Sequence, residues 1–143
     1  MRTRLLVLLV VGVASCGTPG PEACGDFAAR LHEARAALHD LWSHRDRPDE
    51  AAWQTDLAAW KTKSDAVRSI KLPGGSFFSQ LDRDRGPWLA AGEEVVEASK
   101  RDRAARAGSG SQPDPNAVRD SFDVVDREVA LLTPETCKGA TAR

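Results

Sequence analysis

The chain has 143 residues, the size of a single domain. Hydrophobic residues make up 41% and charged residues 29%, which excludes an intrinsically disordered composition. The 20 Lys and Arg are balanced by 21 Asp and Glu, for a formal charge of −1, and this excludes the strongly basic surface of a nucleic-acid binder.

The first segment differs from the rest. Arg2 and Arg4 precede an apolar run from Leu5 to Val13, which is followed by Ala14, Ser15 and Cys16. The run is too short to span a bilayer as a helix, which takes about 20 residues, and it reads as the core of a secretory signal. Directly after Cys16 the chain turns to Gly17-Thr18-Pro19-Gly20-Pro21. An ordinary signal peptide can end in the small residues Val13-Ala14-Ser15. The tetrad Val13-Ala14-Ser15-Cys16 also resembles the lipobox of bacterial lipoproteins, with Val13 standing where Leu is commoner. The resemblance covers only the N-terminus. It implies a signal peptide over residues 1–15, diacylglycerol on the Cys16 sulfur, and often a third acyl chain such as palmitate on the new amine. Two or more acyl chains anchor stably where one is marginal. Localisation would then be the bacterial cell envelope, on the outer face of the cell membrane. Gly17 after the cysteine, rather than Asp, resembles the pattern that permits sorting to an outer membrane where the host has one. Without Arg2 and Arg4, 18 basic residues face 21 acidic ones, a formal charge of −3.

An exported chain with three cysteines has one to explain. Lipidation of Cys16 explains it and leaves Cys24 and Cys137 as an even pair in an oxidising compartment. A Cys24–Cys137 disulfide is the expectation. Two free thiols are one alternative. A metal site is the other, and two Cys without nearby His lack the usual four zinc ligands.

Residues 16–21 read as a short tether, and the fold is expected over 22–137. A first helix is predicted from about Pro21 to Arg45. Phe27, Leu31, Ala34, Leu38 and Leu41 are spaced 4-3-4-3, one stripe of a helix, and Trp42 widens it. Asp46-Arg47-Pro48-Asp49 reads as the start of a second helix, with Asp46 as N-cap and Pro48 in the first turn. Trp53, Leu57, Trp60, Ser64 and Val67 repeat the spacing, and Leu72-Pro73-Gly74-Gly75 stops it. The third region is less regular. Ser76 is expected to cap a short helix holding Phe77, Phe78 and Leu81, and Gly86-Pro87 to interrupt it. Trp88, Gly92, Val95 and Ser99 then continue the seam. Residues 107–113 read as a flexible loop. A fourth helix starts at Asp114-Pro115 and carries Val118, Phe122, Val125, Val129 and Leu132. Thr133-Pro134 ends it, and 138–143 are expected to be a frayed tail.

No strand alternation is present. The expected fold is all-α: an antiparallel, up-down-up-down four-helix bundle with its third helix interrupted near Gly86-Pro87. That topology puts the start of the first helix and the end of the fourth at one end, as a Cys24–Cys137 bridge requires.

Candidate chemistry is sparse. His32 and His39 are two turns apart, His44 lies beyond them, and no His-Glu-x-x-His, Cys-x-x-Cys-His or paired Glu-x-x-His is present, so no metal, cofactor or catalytic set is expected. The histidines are expected to face solvent. Trp53, Trp60 and Trp88 are expected to fill the core, and Trp42 is the better candidate for exposure. Phe77-Phe78 is a candidate partner-binding tip, with burial as the plainer reading. Lys100, Arg101, Arg103 and Arg106 are candidates for meeting anionic lipid heads or cell-wall polymers. They also sit where cations offset a helix macrodipole. The sequence therefore points to a lipid-anchored, non-enzymatic binding module, held to a membrane by its anchor. Its partner would be an envelope protein or cell-wall component and not a nucleic acid. The alternative is a small-ligand carrier or sensor with a pocket near Trp53, Trp60 and Trp88.

Overall fold

A computed structural model describes residues 19–140. The signal segment, the lipobox and Cys16 lie outside the described residues. Four main helices form an all-helical bundle, with no strand among the described residues. They are α1 (Pro19–Ser43), α2 (Glu50–Ser69), α3 (Ser76–Arg106) and α4 (Pro115–Leu131), followed by a short α5 (Pro134–Lys138). Neighbours α1 and α2 pack antiparallel, as do α3 and α4.

Helix α1 begins two residues ahead of the expected start and takes in Pro19, Gly20 and Pro21 of the expected tether. Proline fits a first turn because its missing N–H would be unpaired there in any case. Helix α2 is capped by Asp49, whose carboxylate accepts from the Ala52 N–H at 3.1 Å, and not by Asp46. Pro48 disfavours helical backbone at Arg47, and the Arg47 N–H is already paired with the His44 carbonyl at 3.0 Å in the turn that closes α1, so α2 starts beyond it.

The largest departure is α3, a continuous helix of 31 residues that runs through Gly86-Pro87. The expected interruption is absent. Pro87 removes one backbone donor, but Arg83, Gly86 and Pro87 are all exposed, so the freed carbonyl faces water. The next residue, Trp88, is buried and donates its indole N–H to the Val125 carbonyl at 3.1 Å, which holds the turn against α4. Ser76 is the first helical residue and not the cap; Gly75 precedes it at φ 119, a backbone conformation suited to glycine. Helix α4 starts as expected, with Asp114 accepting from the Asn116 N–H at 2.9 Å and Pro115 in the first turn. The chain beyond Thr133-Pro134 folds again into α5. Lys138 is helical and Ala140 is buried, so the described part of the expected tail is ordered into the fold.

The predicted stripes form the core. Phe27, Leu31, Leu38 and Leu41 meet Trp53, Trp60 and Val67, together with Phe78, Trp88, Val95, Val125 and Val129. Leu57 and Phe122 are only partly buried at its edge. Cys24 and Cys137 are joined in a disulfide with their Cα atoms 5.3 Å apart, which ties α5 to the start of α1. Arg85 donates to the Ile70 carbonyl at 2.7 Å, tying the end of α2 to α3. At the far end of α1, Arg103 of α3 donates to the carbonyls of Arg45 (3.1 Å) and Arg47 (2.8 Å). The bundle thus has a disulfide pole, where both ends of the described chain lie, and an opposite pole built from the α1–α2 turn and the end of α3.

Candidate functional site

The pole opposite the disulfide holds the densest polar arrangement. Its centre is Asp102, only 4% exposed. It lies three residues after Ser99 and so extends the buried seam of α3 with a carboxylate. A buried carboxylate needs partners. Arg106 Nε donates to its Oδ2 at 2.6 Å, and Arg45 Nε lies 3.4 Å from the same oxygen. The pairing holds Arg106 still further into the charged range: the hydrogen bond it donates to Asp102 is the main cause, and the charge of Asp102 adds to it. Arg45 donates to the Trp42 carbonyl at 2.8 Å, and its guanidinium lies 4.0 Å over the Trp42 ring. Arg103 bonds Glu50 at 2.6 Å and lies 4.9 Å over the Trp53 ring. Hydrogen bonds from Gln54 and then Arg103 hold the Glu50 carboxyl below its ordinary value. Between these groups is an open cavity of about 340 Å³, lined by Arg45, Asp46, Arg47, Pro48, Arg103, Arg106 and Ala107.

The expected cluster of four cations divides. Arg103 and Arg106 join this pole. Lys100 instead pairs with Glu97 at 2.6 Å and borders a groove beside Trp60. Arg101 lines a different groove, between α3 and α4. Helical geometry accounts for the split. At about 100° per residue, positions 103 and 106 fall on one side of α3 and 101 on the other. The α3–α4 groove, about 880 Å³, is lined by Ala90, Ala98 and Ala117 together with Glu93, Glu94, Glu97 and Asp114.

The aromatic candidates are mostly committed to packing. Trp42 is half-buried, stacked under Arg45 and edge-on to Phe122 at 6.1 Å, so it is not the free ring expected. Phe78 is buried and Phe77 packs partly buried against the core, with ring centroids 5.2 Å apart, so the pair is no exposed tip. Trp53, Trp60 and Trp88 are buried, and Trp60 and Trp88 lie 6.0 Å apart.

Of the three histidines, only His32 is exposed. His39 and His44 are half-buried, which corrects the expectation that all three face solvent. His39 Nε2 lies 2.9 Å from Asp126 of α4, and His44 Nδ1 lies 2.9 Å from Asp56 of α2. Both pairs bridge helices. A His–carboxylate pair is half of a general-base arrangement, but the nearby hydroxyl of Ser43 is turned to its own helix, donating to the Asp40 carbonyl at 3.0 Å. Among the described residues no group of three His, Cys, Asp or Glu is placed to hold a metal ion.

Sequence reasoning missed Arg45, Arg47 and Asp102. The available signal was the seam itself: Trp88, Gly92, Val95 and Ser99 lead by the same 4-3 spacing to Asp102, an acid at a core position. Comparison with protein-family models, with curated proteins and with solved structures finds no match.

Proposed function

We propose that this chain is a lipid-anchored lipoprotein of a bacterial cell envelope, acting as a non-enzymatic binding module. One observation carries the reading: the disulfide joins Cys24 to Cys137, so two of the three cysteines are paired and both ends of the described chain meet at one pole. Such a bridge belongs to an oxidising compartment. It leaves Cys16 as the cysteine to which the lipobox resemblance assigns the lipid. A lipid on Cys16 would hold the disulfide pole toward the membrane. From Cys24 to Ser43, α1 rises about 29 Å at 1.5 Å per residue, and the arginine pole would be displayed at that height. Its partners would then lie away from the anchoring membrane, in the cell wall or on another envelope protein.

Intact mass of the protein purified from its own membrane, with and without reductant, tests this. The expected mass is that of residues 16–143 plus two or three acyl chains, rising by about two hydrogens on reduction. Cys16→Ser is expected to move the protein out of the membrane fraction. A wild-type chain that is unacylated and released into the medium overturns the anchor.

A further inference from the structure

We propose that the arginine pole is a binding site for a phosphoryl oxyanion. Four arginines, Arg45, Arg47, Arg103 and Arg106, line one open cavity of about 340 Å³. They come from two places in the chain, the α1–α2 turn and the end of α3. Arg103 is used up in structure, because it bonds two turn carbonyls and Glu50. The other three are not. Arg106 commits only Nε, to Asp102, and Arg45 commits Nη1 to the Trp42 carbonyl with its Nε beside Asp102. Both terminal nitrogens of Arg106 and Nη2 of Arg45 have no protein partner among the described residues. The Arg47 side chain has none either, and it is exposed on the cavity wall.

Asp102 gives the arrangement its direction. Its carboxylate is buried beside the cavity, accepts a hydrogen bond from Arg106 Nε, and lies 3.4 Å from Arg45 Nε as an ion pair without a hydrogen bond. Arg106 is thereby held by Asp102, and Arg45 by the Trp42 carbonyl and ring, before any ligand arrives. Planar guanidiniums held in that way suit an anion with several oxygens, and three of them suit phosphate better than a monocarboxylate. A purely structural ion pair would need Asp102 with Arg45 and Arg106. It would have no use for Arg47. Asp46 also borders the cavity, and its charge opposes an incoming anion. Binding is a property of the pole itself. Only the expectation that the phosphoryl group belongs to a polymer beyond the membrane surface rests on the lipid-anchor reading.

The test is calorimetric titration of the full-length protein in non-ionic detergent with inorganic pyrophosphate, and with acetate as comparator, at low salt. Tryptophan emission gives a second readout, since Trp42 and Trp53 lie directly under Arg45 and Arg103. Pyrophosphate is expected to bind and to shift the emission, and added NaCl to weaken it. Arg47→Gln is expected to weaken binding about ten-fold with an unchanged melting temperature, since it removes charge-assisted hydrogen bonds from an exposed side chain. Asp46→Asn is expected to tighten it. If pyrophosphate gives no heat at millimolar concentration, or if Arg47→Gln binds as tightly as wild type, the site is overturned. Acetate binding as tightly as pyrophosphate overturns the phosphoryl assignment. Because the titration does not depend on acylation, it fails or succeeds apart from the anchor. With binding in hand, a cell-wall polymer carrying phosphodiesters and a free phosphate ester are then compared for tighter binding.

Discussion

Trp53 donates its indole N–H to the hydroxyl of Ser99 at 3.1 Å, across the interface between α2 and α3, and both residues are buried. The bond places a buried polar pair in the contact between the two helices. Removing only the acceptor leaves a buried donor unpaired, which costs about 1–3 kcal/mol. Ser99→Ala is therefore expected to lower stability by that amount in urea denaturation. Pairing it with Trp53→Phe removes the orphaned donor, so the double variant is expected to be less destabilised than the two single changes added together. Additive losses would show that the bond contributes nothing beyond packing.

Gly92 lies on the same seam, and the Trp60 ring rests against it. A Cβ at position 92 would overlap the Cζ2 and Cη2 atoms of that ring. Two effects compete in Gly92→Ala. Alanine gains about 1 kcal/mol of helix propensity over glycine. Overpacking a filled core costs about 1–3 kcal/mol. Trp60 is 1% exposed and packs 6.0 Å from Trp88, so moving its ring means repacking the core or turning it toward the groove that Lys100 borders. The variant is expected to melt below wild type and to change the near-ultraviolet circular dichroism. A higher melting temperature would show that the ring can shift aside.

Local signals and distant ones differed in how well the sequence carried them. The stripe positions Phe27 to Leu41 and Val118 to Val129 depend on spacing within one helix, and they are buried as read, apart from the edge position Phe122. The Asp114-Pro115 start was legible because one acid precedes one proline. At the second helix an acid stands on each side of Pro48, and the choice of Asp49 over Asp46 follows from the backbone preference that proline places on Arg47 and from the turn that holds the Arg47 N–H on the His44 carbonyl. Gly86-Pro87 read as a break because propensity ignores which side of the helix faces water. The site was less legible. Lys100 to Arg106 are close in sequence, yet the turn of the helix separates them. The partners of Arg103 are 53 to 58 residues away, and that of His39 is 87 residues away. No short-range pattern encodes such pairings; they follow from the bundle topology.

Asp126 makes one such pairing, and its consequence depends on pH. Burial raises its carboxyl pKa, but hydrogen bonds from His39 and Arg35, and the charges those groups carry, outweigh this and hold it below the ordinary value. A carboxyl lowered on folding contributes stability above its unfolded pKa of about 3.9, and that contribution is lost as pH falls through the lower folded value. The Asp126 and Arg35 side chains are both 39% exposed, so solvent screens the pair and the expected contribution is below about 1 kcal/mol. Asp126→Asn is expected to be less stable than wild type at neutral pH by that small amount. The gap should narrow as pH falls below about 4, because the unfolded wild-type chain then takes up a proton on Asp126 that the folded protein binds only at lower pH. Urea denaturation of both proteins across that range measures the gap. A gap that stays constant down to the acid limit would assign the role of Asp126 to shape and neutral hydrogen bonding, and would leave its charge without effect on the fold.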